Sequence, residues 1–194
     1  MDKIILDANV LFSNTLRSLF LWILWGGNAC EIAWTKEIWE EVFRNYSSDP
    51  VKEKAFRSRM ENGPIVMFSS CLRNLESSYQ TVGLPDPNDE HIVAIARQEK
   101  FDEIVTFNLR DFPNALLAPY GIKSCTPDAY LCDLFSRENE VVIDSVMRHI
   151  SANNVTRPAK NIYFESLRNS SVPLFANSLA EQDAAEKLFP EIWN

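Results

Sequence analysis

Three segments place carboxylates where apolar runs meet turns. Asp7 closes the short run Ile4-Ile5-Leu6; Pro85-Asp86-Pro87-Asn88-Asp89-Glu90-His91 puts acids ahead of an apolar-periodic stretch; and Val105-Thr106-Phe107-Asn108-Leu109-Arg110-Asp111-Phe112-Pro113 carries another beyond a β-rich run. Carboxylates with neither thiolate nor repeated histidine around them suit hard cations such as Mg²⁺ or Mn²⁺, which prefer oxygen ligands and retain water. An ion of this kind lowers the pKa of a bound water and offsets the charge that grows on a phosphate during in-line displacement, so the chemistry implied is phosphodiester hydrolysis. Function turns on whether acids so far apart in the chain converge.

Each acid also has a purely structural reading. Asp86 and Asp89 have the spacing of a capping box, and Asp111 can cap a turn before Phe112-Pro113. Glu41, on a helix that Thr35 would cap and whose apolar face is Ile38, Trp39 and Val42, is either a solvated helix acid or a group at the rim of a crevice. Asp7 is the hardest to dismiss, because a charge at the end of a buried strand needs a partner. Asn9, Thr106 and Asn108 supply uncharged polar atoms beside two of the acids, as orienting groups or as turn formers. Arg110, next to Asp111, is a candidate contact for a substrate phosphate. On spacing alone the metal-site and structural readings both stand.

The elements that must position these residues alternate. Strand signals cover Lys3 to Leu6, Ala29 to Trp34, Glu103 to Phe107 and Gly121 to Cys125. Helix signals cover Leu16 to Trp25 (ended by Gly26-Gly27), Lys36 to Arg44, Asp49-Pro50 through Met60, and Glu90 to Gln98. The apolar run Ile65 to Phe68 and an amphipathic stretch from Ser69 to Tyr79 keep the strand–helix alternation going. This rhythm predicts a mainly parallel sheet covered by helices. From Thr126 the pattern turns helical: 127–135, 140–150, 161–168 and 176–188, with Asn153-Asn154 and 170–173 as linkers. A domain boundary is placed near residue 136.

A chain of 194 residues with 46% hydrophobic and 24% charged residues can bury a sizeable core. The net charge of −8 argues against a protein that coats nucleic acid with a broad basic surface, but not against a nuclease, since bound cations invert the local field. Cys30, Cys71, Cys125 and Cys132 form no paired metal motif, so reduced cysteines and no zinc site are expected. The run from Leu16 to Trp25 is too short to span a bilayer, and no secretory pattern is visible at the N-terminus. A cytoplasmic protein without membrane association is the expectation. The basic stretch Arg44, Lys52, Lys54, Arg57 and Arg59 reads as a solvated helix face, with RNA-backbone contact as the alternative.

At Leu6-Asp7-Ala8-Asn9-Val10-Leu11, Glu40-Glu41-Val42, Asp86-Pro87-Asn88-Asp89-Glu90-His91 with Ile92 to Ala96, and Thr106-Phe107-Asn108-Leu109-Arg110-Asp111-Phe112, the chain resembles the PIN-domain family. The resemblance is strongest to VapC-type ribonuclease toxins of prokaryotic toxin–antitoxin pairs. It implies a PIN-like α/β/α sandwich over residues 1–135 and a helical C-terminal extension over 136–194. Carried over residue by residue, the family's catalytic and metal-binding acids fall on Asp7, Glu41, Asp89 and Asp111, with Glu40 and Asp86 as neighbouring candidates. Asn9, Thr106 and Asn108 match its supporting positions. The implied activity is Mg²⁺- or Mn²⁺-dependent endoribonuclease cleavage to a 5′-phosphate and a 3′-hydroxyl; the implied partners are RNA, a cognate antitoxin and a second copy in a homodimer. Aromatic residues Phe20, Trp22, Trp25, Trp34 and Trp39 either pack in the core or offer such a partner a face.

Two other classes compete. A haloacid-dehalogenase-type phosphatase also carries an acid after its first strand, but wants a second acid two residues on, where this chain has Asn9. A non-catalytic PIN-like module binding RNA or protein has little reason to cluster repelling carboxylates.

Overall fold

The computed structural model describes residues 1–26, 29–76, 78–152 and 160–183. Gly27, the Asn153-Asn154 linker and the expected helical residues 184–188 lie outside the described residues. Two compact units divide the chain: one takes Asp2–Phe12 with Glu31–Cys125, the other Ser13–Cys30 with the chain from Thr126 onward.

The first unit is built on a five-stranded sheet in the order β3-β2-β1-β4-β5, with β1 Asp2–Leu6, β2 Cys30–Thr35, β3 Leu72–Arg73, β4 Glu103–Val105 and β5 Lys123–Cys125. The pairs β1–β4, β4–β5 and β2–β3 are parallel. Helices lie between the strands in sequence, as in an α/β/α arrangement: α1 Ala8–Phe12, α3 Lys36–Tyr46, α4 Pro50–Glu61, α5 Pro64–Met67, α6 Glu90–Glu99 and α7 Asn114–Leu117. Ile4, Ile5, Leu6, Ile104 and Val105 are fully buried, which is why these strands read as unbroken apolar runs. The register Leu6↔Val105 brings the C-terminal ends of β1 and β4 side by side. The residue after each strand, Asp7 and Thr106, therefore emerges at one edge of the sheet.

Helix α3 begins at Thr35, whose hydroxyl accepts the Ile38 N–H at 3.3 Å. Its buried stripe of Ile38, Trp39, Val42 and Phe43 fixes the rotation of the helix. Trp34 and Trp39 meet edge to face in the core, with centroids 5.9 Å apart. Arg57 of α4 forks onto Glu40 of α3 at 2.7 and 2.8 Å and lies over the Phe43 ring. That part of the basic stretch is thus occupied by protein partners.

Two expected elements differ. The run Ile65 to Phe68 is not a strand: Pro64 starts the short helix α5, and Val66 and Met67 are exposed. The sheet position beside β2 goes to Leu72–Arg73, held by the Arg73–Glu31 pair at 2.6 Å. In place of the expected helix from Ser69 to Tyr79, the described residues form a 3₁₀ turn at Ser69–Cys71, then β3, and neither helix nor strand at residues 74–76 and 78–79. Gln98 supplies the reason, since its amide donates to the Asn74 carbonyl at 2.9 Å and accepts the Glu76 N–H at 3.0 Å. Backbone groups that a helix would pair internally are satisfied across the loop.

The second unit is helical, with α2 Asn14–Gly26, α8 Pro127–Arg137, α9 Asn139–Ala152, α10 Lys160–Asn169 and α11 Pro173–Asp183. Helix α2 packs along α9, and α11 against α8 and α10. Asp128, buried on α8, caps α11 by accepting the Leu174 and Phe175 N–H groups at 3.1 and 2.9 Å. Phe20 is buried, whereas Trp25 is largely exposed. No helix among the described residues is long and apolar enough to cross a membrane.

Because the Thr35 hydroxyl is the cap of the helix that carries Glu41, Thr35→Ala is expected to cost about 1 kcal/mol in urea denaturation, with Thr35→Ser keeping most of it.

Candidate active site

Asp7 stands where β1 turns into α1. Its N–H donates to the Val105 carbonyl at 3.1 Å, and its own carbonyl accepts from Val10 and Leu11, which starts the helix. The side chain is 5% exposed and accepts three hydrogen bonds at 2.6 Å, from the Ala8 N–H, the Asn9 amide and the Thr106 hydroxyl. Burial still raises its pKa, with those bonds and nearby His91 acting in the opposite direction. The Asn9 amide also reaches Thr106 Oγ1 at 3.0 Å, while Asn9 Oδ1 accepts the Phe107 N–H at 3.1 Å. Asn9 thereby ties the end of β1 to the loop after β4.

That loop is folded by its own polar groups. The Asn108 N–H donates to Thr106 Oγ1 at 2.9 Å, the Asn108 amide donates to the Asp111 carboxylate, and the Asp111 N–H returns to the Asn108 carbonyl at 3.1 Å. Fully buried Phe112 anchors its far end, where the Ser124 hydroxyl donates to the Phe112 carbonyl at 2.7 Å. Asp111 is half-buried and Arg110 beside it is exposed.

The third acid segment opens with Asp86, which caps a 3₁₀ turn at Pro87–Asp89 by accepting the Asn88 N–H at 2.9 Å. Asp89 makes no capping bond at the start of α6. Its carboxyl is pushed up to about 7, by burial first and then by the charges of Asp7, Asp86, Glu41 and Asp111. Glu41 is likewise raised by burial and by Asp7, with Arg44 and His91 pulling it down. The acids of four distant segments therefore share one electrostatic environment. Glu40 does not: Arg57 holds its pKa low by hydrogen bonding.

One carboxylate oxygen from each of Asp86, Asp89 and Asp111 lies within 4.8 Å of the other two, which brings the three together as candidate ligands of one hard cation. An all-oxygen set, in which the Asp89 carboxyl is raised by burial and by its acidic neighbours, fits a hard divalent cation. Asp7 and Glu41 lie outside this closest triple and join it through their charges. A cavity of about 330 Å³ is lined by Ala8, Asn9, Phe12, Glu41, Val42 and Asn45. A second, of about 450 Å³, is lined by Glu37, Glu41, Arg44, Asn45, Asp86, Asn88, Asp89 and His91; Glu41 and Asn45 belong to both.

Three residues of this crevice carried little sequence signal as site members. His91 bonds the Asn88 carbonyl through Nδ1 at 2.7 Å, and its Nε2 is buried without a hydrogen-bond partner among the described residues. Arg44 and Asn45 follow Glu41 on the next turn of α3. For Asn45 the only sequence signal is its i+4 spacing from Glu41, whereas Arg44 also belongs to the basic stretch for which RNA-backbone contact is the alternative reading.

The profile of the family described as "PIN domain" matches residues 3–110, the stretch that holds Asp7, Glu41, Asp86 and Asp89 and stops just short of Asp111. The chain belongs to the PIN-domain family. It is also 41% identical over 58 residues to the protein named "Putative ribonuclease VapC50" of Mycobacterium tuberculosis (strain ATCC 25618 / H37Rv), a match covering 28% of this chain and 34% of that protein. The chain thus spans about a third of the length of this curated relative. No solved structure matches it significantly.

The raised acids of this PIN-domain chain predict how its metal-free form responds to pH. Asp89 binds a proton in the folded state up to about pH 7 and in the unfolded state only near its ordinary 3.8. Its contribution to stability is therefore complete below about pH 4 and is lost as pH rises through 7. In the presence of a chelator, the melting temperature is expected to fall between pH 5.5 and pH 8, and Mn²⁺ is expected to restore it at pH 8. A melting temperature flat across that range, with or without Mn²⁺, would contradict the coupling.

Proposed function

We propose that this chain is a metal-dependent endoribonuclease that hydrolyses RNA phosphodiester bonds and acts as the toxin of a type II toxin–antitoxin pair. The observation that carries the reading is the gathering of Asp86, Asp89 and Asp111 oxygens within 4.8 Å of one another, with Asp7 and Glu41 near enough to add to the rise of the Asp89 carboxyl. The similarity to a protein named as a VapC ribonuclease supports the choice of RNA as substrate and of an antitoxin as partner.

Asp7, Glu41, Asp89 and Asp111 would hold Mg²⁺ or Mn²⁺, with Asp86 close enough to share in it. When bound, such an ion supplies Lewis acidity toward the phosphate and a more acidic water. The residues around the acids supply orientation. Thr106 and Asn9 fix the Asp7 carboxylate, and the Asn108 amide holds that of Asp111. In a chain of net charge −8, the approach of a phosphate depends on local cations. Arg44 on the crevice wall and exposed Arg110 are suited to that contact. The catalytic work falls within residues 1–135, and the helical extension over 136–194 serves assembly, as a homodimer or with the antitoxin.

Purified protein incubated with structured RNAs is expected to cleave them only with Mg²⁺ or Mn²⁺, leaving 5′-phosphate ends. Asp7→Asn is expected to lower the rate about a hundredfold or more, whereas Glu40→Gln, which touches only the pairing with Arg57, leaves cleavage in place. Cleavage in excess chelator, or equal cleavage by Asp7→Asn, would overturn the mechanism. For the toxin role, a small protein encoded beside this chain's gene should bind it and silence the cleavage.

A further inference from the structure

Glu90 follows Asp89 directly, yet its side chain serves a different structure. It is 4% exposed. One oxygen accepts the Gly83 and Leu84 N–H groups at 2.6 and 2.7 Å, and the other accepts the Val82 N–H at 2.8 Å. Successive peptide N–H groups converge on an anion where the backbone passes through a left-handed residue, forming a small nest. Gly83 is that residue, with φ of +81°. A Cβ placed there would meet nothing within 4 Å. The glycine is required by backbone conformation and not by space.

The nest and its anion close the short loop 85–89, which carries Asp86 and Asp89. Buried Leu84 anchors the loop's entry, and α6 begins at its exit. Mutual repulsion among Asp86, Asp89, Asp111, Asp7 and Glu41 pushes this loop outward, and a buried, triply bonded carboxylate opposes that push. Glu90 is also buried at a cost that only such bonds offset.

We propose that Glu90 is a positioning residue: by gathering the Val82, Gly83 and Leu84 amides it holds Asp86 and Asp89 at the separation from Asp111 that lets them share one divalent cation. The proposal rests on the metal-dependent reading above, but not on the identity of the RNA or on turnover. Glu90 touches neither cation nor substrate and acts through the loop.

The test compares the full chain with Glu90→Gln and with Gly83→Ala, which strains the nest while leaving every carboxylate in place. Mn²⁺ binding is measured by electron paramagnetic resonance, amide exchange at Val82 to Leu84 by NMR, and cleavage of an oligoribonucleotide by initial rates. Both variants are expected to retain the wild-type far-ultraviolet circular dichroism, to exchange the three amides faster, and to bind Mn²⁺ about tenfold more weakly. They are also expected to lower kcat while KM stays near the wild-type value. If the amides exchange faster but Mn²⁺ binds as tightly as in wild type, Glu90 is only a loop closure and the proposal falls. It falls equally if the wild-type chain binds no Mn²⁺. If wild type binds Mn²⁺, the variants weaken that binding and none cleaves RNA, the positioning role holds and the nuclease reading fails.

Discussion

Carboxylates brought within a few ångströms of one another in a half-buried crevice repel, and each must either take up a proton or be met by donors and cations. The sheet unit is arranged around that repulsion. Asp7, the most buried of the acids, receives three short hydrogen bonds. Asp111 accepts a hydrogen bond from the Asn108 amide. Asp89, which makes no capping bond, has its carboxyl pushed up to about 7. A site poised in this way lacks donors of its own for Asp89 among the described residues, and under the proposed reading a divalent cation would supply what is missing, in competition with the proton.

The scaffold answers the same constraint at longer range. Parallel pairing in the register Leu6↔Val105 puts two strand ends side by side, so residues distant in sequence emerge at one edge. Asn9 and Thr106 then cross-link those ends through side chains. Ligand sites of open parallel sheets gather at the carboxyl ends of strands because the loops and helix starts meet there. Here the loop after β4 and the start of α6 bring the remaining acids to that edge, while α3 reaches it through a rotation fixed by its buried aromatic stripe.

Much of this was legible in the sequence. The run Ile4 to Leu6, the cap at Thr35, the Asp49-Pro50 helix start and the Asp86-Pro87 turn are local signals, and local backbone preferences were enough to place them. The segment from Ile65 to Tyr79 was not legible, because its conformation is set by partners elsewhere. Gln98 holds the backbone at Asn74 and Glu76, and Arg73 is paired with Glu31. A periodicity argument has no access to such long-range hydrogen bonds.

The sequence by itself determined the residue types and their order: two acids after strands, one at a helix start and one within a helix, amides and a hydroxyl beside them, and too little histidine or paired cysteine for a softer metal. Tertiary structure alone decided which acids meet. Glu40 and Glu41 are neighbours about 100° apart on one helix, and only the Arg57 guanidinium from α4, by claiming Glu40, shows which of them faces the crevice. Asp89 and Glu90 divide in the same way, one left to the shared charge and the other taken by three backbone amides. Adjacent carboxylates are chemically alike in a sequence; their fates differ because burial and hydrogen-bond partners belong to the folded chain.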